Sequence, residues 1–318
     1  MKKVLITGVT GFAGSHLAEL LVEQGNCDIV GLHVSDRNLH NIANIADKIQ
    51  REKINLLDRE ATDAVIQKVQ PDIIFHLAAS ATVKESFEHA ADFITNNSTS
   101  QINLFEALRK HNLFQTKFVL ISSANVYGIV KPADIPIDEQ TPFTPDNPYA
   151  VSKITQDYLG LCYYLSYKLP IIRLRPFNHV GPRMSADLSV SRFAKYIAEV
   201  EKGLQEPILR VGNLDAKRDF TDVRDMVRAY VLASERCENG AYNIGTGVSY
   251  TIGEVLDELL ELAKVKIDVQ VDQSLFRPSD IPELRADATK FQETTGWQPE
   301  ISLGKMLEDL LEYWRKID

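Results

Sequence analysis

The stretch TGVTGFAGSH near the start of the chain restricts the possible folds most, because its glycines separate a strand-like segment from a helix-like one. The run Val4–Thr7 has the length and the β-branched residues of a buried strand. From Ala13 onwards, apolar residues recur at helical spacing. Gly8, Gly11 and Gly14 let the backbone approach a ligand closely, and the N–H groups at a helix N-terminus attract anions. The pattern predicts a phosphate-binding turn, and an ordinary glycine-rich turn is the alternative.

The overall composition is that of a globular protein with one large or two small domains. The 318 residues are 44% hydrophobic and 25% charged, and a net charge of -9 argues against a nucleic-acid partner. Three cysteines without paired spacing predict free thiols in a reducing compartment. The sequence has no apolar run of about 18 residues, no signal peptide and no metal-like pairing of histidines. We therefore expect a cytoplasmic protein without a membrane segment or a bound metal.

Strand-like and helix-like segments alternate through the first half of the chain. Apolar runs typical of buried parallel strands cover Asp28–Leu32, Asp72–Leu77 and Lys117–Ile121. Helical periodicity covers Ala61–Val69 and Ser98–Lys110. This alternation predicts an α/β fold with a doubly wound parallel sheet, which binds its ligands at the carboxyl ends of the strands.

The spacing of the predicted strands and helices divides the chain into two parts, before and after about residue 177. Residues 1–176 are predicted to form a dinucleotide-binding Rossmann domain, whose sheet is completed by segments near 213–247. Residues 177–318 are predicted to form mainly a smaller substrate-binding lobe. The later predicted elements are a strand at 169–174, helices at 189–202, 223–234, 252–263 and 303–315, and short strands at 208–211 and 267–271.

The segment NPYAVSK carries the strongest chemical signal. Tyr149 and Lys153 stand four residues apart on a predicted helix, so they share one face. A lysine ammonium beside a phenol favours the phenolate and lowers the tyrosine pKa, which suits proton transfer to a sugar oxygen. The upstream segment ISSANVYG puts Ser122 and Ser123 at the end of a predicted strand, where a hydroxyl can bind the same oxygen. Taken alone, a tyrosine and a lysine at this spacing are usually surface residues.

Together these motifs resemble the extended short-chain dehydrogenase/reductase family that modifies nucleotide sugars. The resemblance runs from TGVTGFAGSH through FHLAAS, ISSANVYG, NPYAVSK and RPFNHVGPR to RDFTDVRD and TGWQP. It implies that Ser123, Tyr149 and Lys153 are catalytic, with Lys153 also holding the nicotinamide ribose. It further implies a homodimer formed through the predicted helix that carries Tyr149 and Lys153. The cofactor-binding positions that it implies are Gly8, Thr10, Gly11, Phe12, Ala13, Gly14, Asp58 (facing the adenine), Leu77, Ala78 and Ala79.

The loop after the second strand bears on the choice of cofactor. An acidic residue there binds the ribose of NAD, whereas basic residues accept the extra phosphate of NADP. The aligned position is His33, and Ser35 and Arg37 follow it. Ser35 and Arg37 are able to hold a phosphate, which favours NADP. If they are simply loop residues, NAD stays open.

Three reactions compete within the resembling family. Its 4,6-dehydratases carry a carboxylate just after the catalytic serine or threonine, where this chain has Ala124 and Asn125. Reduction of a 4-keto sugar and 4-epimerisation with tightly bound NAD need only the three catalytic residues. The segments RPFNHVGPR, GNLDAKRDFTDVRD and LFRPSDIP resemble enzymes acting on GDP-mannose and its 4-keto-6-deoxy product. We therefore expect reduction to GDP-D-rhamnose, with the epimerase, the dehydratase and a non-catalytic dinucleotide sensor as alternatives.

The substrate is expected to be a nucleotide diphosphate sugar, for which arginines are suitable ligands. The resemblance assigns Arg218 and Arg277 to the diphosphate, with Arg183 as a further candidate. Asn178 matches a position that contacts the substrate, and Ser123 contacts its sugar. The structural alternatives are ion pairs with nearby aspartates for the arginines and a turn-capping role for the asparagine.

Overall fold

Strands and helices alternate along the chain in the computed structural model, which describes residues 1–276 and 281–317. The strands are β1 (Lys2–Thr7), β2 (Cys27–His33), β3 (Gln50–Lys53), β4 (Ile73–His76), β5 (Lys117–Ile121), β6 (Ile171–Pro176), β7 (Asn178–Val180), β8 (Ile208–Val211), β9 (Lys217–Asp222), β10 (Gly240–Ile244), β11 (Ser249–Thr251), β12 (Asp268–Val271) and β13 (Glu283–Leu284). The helices are α1 (Phe12–Gln24), α2 (Arg59–Val69), α3 (Val83–Glu88), α4 (Ala90–Lys110), α5 (Pro148–Tyr167), α6 (Ser189–Glu201), α7 (Val223–Arg236), α8 (Ile252–Glu261), α9 (Thr289–Thr295) and α10 (Leu303–Lys316).

Seven parallel strands form the central sheet, in the order β3-β2-β1-β4-β5-β6-β10. The chain winds outward from β1 in one direction and from β4 in the other, so the order reverses between these two strands. In open α/β sheets, ligands bind at such a point. The predicted doubly wound α/β fold is confirmed, and β10 comes from the segment expected to complete the sheet.

The apolar sequence of β1 explains how the sheet is covered on both faces. Successive side chains of a strand point to opposite sides. Val4 and Ile6 belong to the core cluster that contains Leu17 of α1 and Val227 of α7, whereas Leu5 belongs to the cluster of α2 and α4. Helices therefore cover both faces of the sheet.

The smaller lobe contains two short sheets and a core of its own. Strands β7, β9, β11 and β13 form one sheet, and β8 pairs with β12. Apolar residues of α6, α8 and α10, among them Phe193, Leu256 and Leu310, pack in one cluster. None of the helices in the described part of the chain combines the length and apolar character that crossing a membrane requires.

The predicted bounds differ from the observed ones where local sequence is ambiguous. The helix predicted from Ser98 already begins at Ala90, through the polar stretch AADFITNN. The strand predicted at 169–174 runs from Ile171 to Pro176. The sequence does not predict β3, because QREK is polar and this edge strand is largely exposed.

Candidate active site

The glycine turn between β1 and α1 has no room for a side chain at Gly8 or Gly14. Gly8 has a φ of 72°, and a Cβ on it would lie 3.1 Å from the backbone of Ala78. A Cβ on Gly14 would lie only 2.2 Å from the carbonyl oxygen of Gly8. Gly11 caps α1 without a side-chain hydrogen bond, so backbone amides alone form the start of this helix. Thr10, Phe12 and Ala13 lie in the same turn, and the whole arrangement fits a dinucleotide pyrophosphate.

The end of β4 forms the second wall beside this turn. Leu77, Ala78 and Ala79 are partly buried there, and the amide of Ala78 donates to the hydroxyl of Thr7 at 3.1 Å. The same hydroxyl lies 2.9 Å from Nδ1 of His76. Burial, with the nearby charge of Lys153, lowers the pKa of His76 to about 3. His76 is therefore a neutral core histidine.

Ser123, Tyr149 and Lys153 meet at the carboxyl edge of the sheet, although their catalytic roles stay predictions. All three are buried, with Ser123 two residues after the end of β5 and the other two one turn apart on α5. The ammonium of Lys153 donates to the carbonyl oxygen of Ile121, at the end of β5, at 2.8 Å. Ser123 and Tyr149 are joined by a side-chain hydrogen bond.

The electrostatics of this group differ from the sequence expectation. Burial raises the pKa of Tyr149, and the hydrogen bond with Ser123 offsets only part of the rise. Burial also lowers the pKa of Lys153 to about 7. The prediction that Lys153 lowers the pKa of Tyr149 is wrong for this structure. The ammonium of Lys153 donates to the carbonyl of Ile121, and its own lowered pKa means that it is only partly charged near neutral pH.

A buried polar network joins α4 to α5, the helix that carries Tyr149 and Lys153. The amide of Asn97, on α4, donates to the hydroxyl of Ser152 at 2.9 Å and to the carbonyl of Ser80 at 3.0 Å. Gln156 in turn donates to the carbonyl of Asn97 at 3.0 Å. Sequence reasoning missed these residues, because the partners lie far apart in the chain and share no local pattern.

The loop after β2 presents its polar groups at the surface. His33 ends β2, and its Nδ1 lies 3.2 Å from the carbonyl oxygen of Ser35. The carboxylate of Asp36 is neutralised by Lys53 at 2.6 Å. Ser35 and Arg37 are exposed beside the strand end. The position of these two residues suits an anionic group such as the 2′-phosphate of NADP.

Asp58 is the N-cap of α2, a structural role that differs from the expected contact with the adenine. Its Oδ1 accepts hydrogen bonds from the amides of Glu60 and Ala61, both at 3.0 Å, and so caps α2. The sequence carried the signal, since an aspartate directly before a helical pattern is a typical N-cap. Contact of Asp58 with the adenine stays a prediction. Such a contact uses the same carboxylate that accepts the capping hydrogen bonds.

Two of the expected substrate residues, Asn178 and Arg218, lie on strands of the smaller lobe. Asn178 is exposed at the start of β7, and the adjacent His179 ring stacks on Phe12 with 5.5 Å between ring centroids. Arg218 lies on β9 and donates to the carbonyl of Ile281 at 2.7 Å. Arg277 lies outside the described residues. The substrate roles of Asn178, Arg218 and Arg277 stay predictions.

Arg183 is engaged within the protein, as the structural alternative to a substrate contact expects. Its guanidinium forms an ion pair with Glu19 and donates to the carbonyl of Asn41 at 2.6 Å. It also lies 2.8 Å from Nδ1 of His16. Arg183 thus joins the start of the lobe to α1, and its substrate role stays a prediction.

A doubly wound sheet with a glycine turn, a buried Ser-Tyr-Lys group and an appended lobe places the chain among the extended short-chain dehydrogenases/reductases. Comparison with known proteins narrows the class. The family model described as GDP-mannose 4,6 dehydratase matches residues 5–310, and the chain belongs to this family. The family expected from the sequence motifs is thereby confirmed.

Relatives and solved structures match over nearly the full length. GDP-6-deoxy-D-mannose reductase of Pseudomonas aeruginosa is 32% identical over 98% of this chain and 97% of its own length. GDP-mannose 4,6-dehydratase of Vibrio cholerae is 30% identical over 98% and 92%. The structure of RMD from Pseudomonas aeruginosa complexed with NADPH has a TM-score of 0.87 at 30% identity, with 99% of both chains covered. The Thermus thermophilus UDP-glucose 4-epimerase complex with NAD gives 0.88 at 29% identity, with the same coverage.

Proposed function

We propose that this enzyme uses NADPH to reduce the C4 keto group of a nucleotide-linked 4-keto-6-deoxy hexose. The proposed substrate is GDP-4-keto-6-deoxy-D-mannose, and the product is GDP-D-rhamnose. The observation that carries the proposal is the full-length similarity to the Pseudomonas aeruginosa GDP-6-deoxy-D-mannose reductase. Ala124 and Asn125 support it, because neither side chain supplies the acid or base that a dehydration needs.

The chain's own groups suit the proton chemistry of this reduction. When bound, NADPH supplies a hydride for C4, and the glycine turn would hold its pyrophosphate while Ser35 and Arg37 would hold its 2′-phosphate. Tyr149 gives its proton to the oxygen on C4 as negative charge develops there, and Ser123 donates a hydrogen bond to the same oxygen. Lys153, one turn away, holds a proton near neutral pH, since its pKa is about 7.

A 4-epimerase with tightly bound NAD is the second candidate. The UDP-glucose 4-epimerase structures from Thermus thermophilus and Thermotoga maritima have TM-scores of 0.88 and 0.87. Epimerisation needs only the three residues that the reductase needs. The two functions differ in their use of NADPH. A reductase consumes it, whereas an epimerase causes no net consumption.

A substrate panel tests the proposal. The purified protein is mixed with NADPH and with GDP-4-keto-6-deoxy-D-mannose, UDP-glucose or a dTDP-4-keto-6-deoxy sugar, while nicotinamide absorbance is followed. We expect stoichiometric oxidation of NADPH with the GDP-keto sugar. Conversion of UDP-glucose to UDP-galactose without loss of NADPH establishes the epimerase instead. No turnover of any sugar favours a dinucleotide sensor.

Tyr149→Phe tests the assignment of the proton donor. The turnover number should fall about 10²- to 10⁴-fold, while NADPH affinity, measured by fluorescence, stays the same. Tyr167→Phe is the matched control, since Tyr167 lies on the same helix with 39% of its surface exposed. Turnover by Tyr149→Phe within a few-fold of the parent enzyme excludes the assigned role.

We also propose a homodimer formed through the outer face of α5. Val151, Tyr158 and Leu165 are spaced by two turns along this face and are 39%, 55% and 57% exposed. An apolar stripe of this kind on a surface helix is typical of an interface. Leu165→Glu should lower the mass measured by analytical ultracentrifugation from two chains to one, and a parent protein of one chain's mass refutes the dimer.

The proposed location is the cytoplasm. Cys27, Cys162 and Cys237 are all free thiols in the structure, which suits a reducing compartment. Fractionation of cells that produce the tagged protein checks this location.

A further inference from the structure

Asn125 stands two residues after Ser123 and is partly buried in the short 3₁₀ turn at 124–127. Its backbone N–H donates to Oγ of Ser123 at 3.2 Å. Its side-chain amide donates to the same oxygen at 3.1 Å. Two donors from one residue therefore converge on the hydroxyl that the proposed mechanism uses.

This convergence limits what the Ser123 hydroxyl is able to do. A hydroxyl has one hydrogen to donate and two lone pairs that accept. Asn125 occupies both lone pairs, which leaves the hydrogen for the remaining partner. That partner is the phenol of Tyr149, and the Ser123 hydrogen bond lowers the pKa of Tyr149, as a donor to the phenolate does.

We propose that Asn125 is a positioning residue that makes Ser123 a hydrogen-bond donor to the oxygen shared with Tyr149. The proposal rests on the proposed reduction at C4. As hydride adds to the carbonyl carbon, the π electrons of the C=O bond move to the oxygen, which takes the proton of Tyr149. A donor stabilises the charge on that oxygen, whereas an acceptor in the same place repels it.

Two substitutions at this position separate polarity from shape. Asn125→Ala removes the side-chain donor and leaves the backbone donor, so the turnover number should fall only a few-fold. Asn125→Asp keeps the shape but offers Ser123 an acceptor, which turns its hydrogen away from Tyr149. The turnover number should then fall about 10²- to 10³-fold, the usual effect of losing one such donor, with KM and NADPH affinity little changed.

The order of the two effects is decisive. A residue that only maintains the fold tolerates the isosteric aspartate better than alanine. Aspartate must therefore be the more damaging change in a protein that circular dichroism shows to be folded. If Asn125→Asp retains turnover within twofold, or more than Asn125→Ala does, the proposal is overturned.

The pH dependence supplies a second readout. A protonated aspartic acid donates a hydrogen bond again, so turnover of Asn125→Asp relative to the parent should rise as pH falls through the carboxyl pKa. The ratio for Asn125→Ala should stay level. A level ratio for Asn125→Asp overturns the proposal.

A third measurement does not depend on the substrate. A fluorinated tyrosine at position 149 titrates at lower pH, and its ¹⁹F shift reports this one phenol. In the Asn125→Asp variant the pKa of this phenol should rise by about one to two units, because a hydrogen bond to the charged oxygen is lost. An unchanged midpoint refutes the positioning role. If the parent enzyme reduces no keto sugar, the proposed function fails, and this titration still tests Asn125.

Discussion

Replacing Lys153 by methionine tests how the fold tolerates a buried cation to which the proposed reaction assigns a role. Lys153 is only 4% exposed, and burial lowers its pKa from the ordinary value of 10.5 to about 7. A folded-state pKa below the unfolded value means that the unfolded chain binds more protons, so protonation favours unfolding. We therefore expect Lys153→Met to be inactive and yet more stable at neutral pH.

The size of the gain follows from the shift and from one hydrogen bond. A lowering from 10.5 to about 7 corresponds to a destabilisation of about 5 kcal/mol when the lysine is fully charged. Methionine removes this cost, but it leaves the carbonyl of Ile121 without the donor now 2.8 Å away. An unsatisfied buried carbonyl costs about 1–3 kcal/mol. The net gain in the free energy of unfolding is then about 2–4 kcal/mol near neutral pH.

The sign of the effect changes with pH. The cost of the charged lysine is fully present below about pH 7, fades as the pH rises and is gone above 10.5. Above that pH only the lost hydrogen bond counts, and the methionine variant becomes the less stable protein. Urea unfolding without NADPH, followed by circular dichroism at neutral and alkaline pH, measures the difference. A difference that does not change with pH refutes the reasoning, as does a variant less stable than the parent at neutral pH.

Three further substitutions give measurable outcomes. Gly14→Ala puts a Cβ 2.2 Å from a backbone oxygen and should weaken NADPH binding at least about tenfold in a fluorescence titration; in the control Gly253→Ala, the nearest atom is 3.5 Å away. Asp157→Asn breaks buried ion pairs with two β6 arginines and should cost about 3–5 kcal/mol in urea unfolding, against at most about 1 for the surface control Glu308→Gln, which loses an exposed pair with Lys305. Arg37→Gln should raise the Kd for NADPH but not for NADH; equal changes in both refute a contact with the 2′-phosphate.

The fold was predictable from the sequence because its signals are local and repeated. The apolar runs of β1, β2, β4 and β5 are buried on both faces, which a parallel sheet requires. The glycine turn and the spacing of Tyr149 and Lys153 are short-range patterns, and both lie at the expected edge of the sheet. The polar edge strand β3 was not predictable, because neighbouring strands rather than its own sequence hold it in the sheet.

The candidate site was predictable in its identities but not in its interactions. Asn125 entered the sequence argument only as a residue unable to transfer protons, although its two-residue spacing from Ser123 allows the contacts observed. The cap by Asp58 was readable from the sequence and was missed. The network of Asn97, Ser152 and Gln156 joins two helices and has no signal in either.

The sequence by itself determined the doubly wound parallel sheet, the phosphate turn and the three residues that meet above it, because periodicity and turn chemistry act over a few residues. The tertiary structure alone decided what surrounds them. Arg183 pairs with Glu19, which is 164 positions away, and no local pattern in the sequence indicates this ion pair. The pKa of Tyr149 rises and that of Lys153 falls, because both are set by removal from water. Desolvation depends on which elements pack over a group, and only the folded chain specifies that packing.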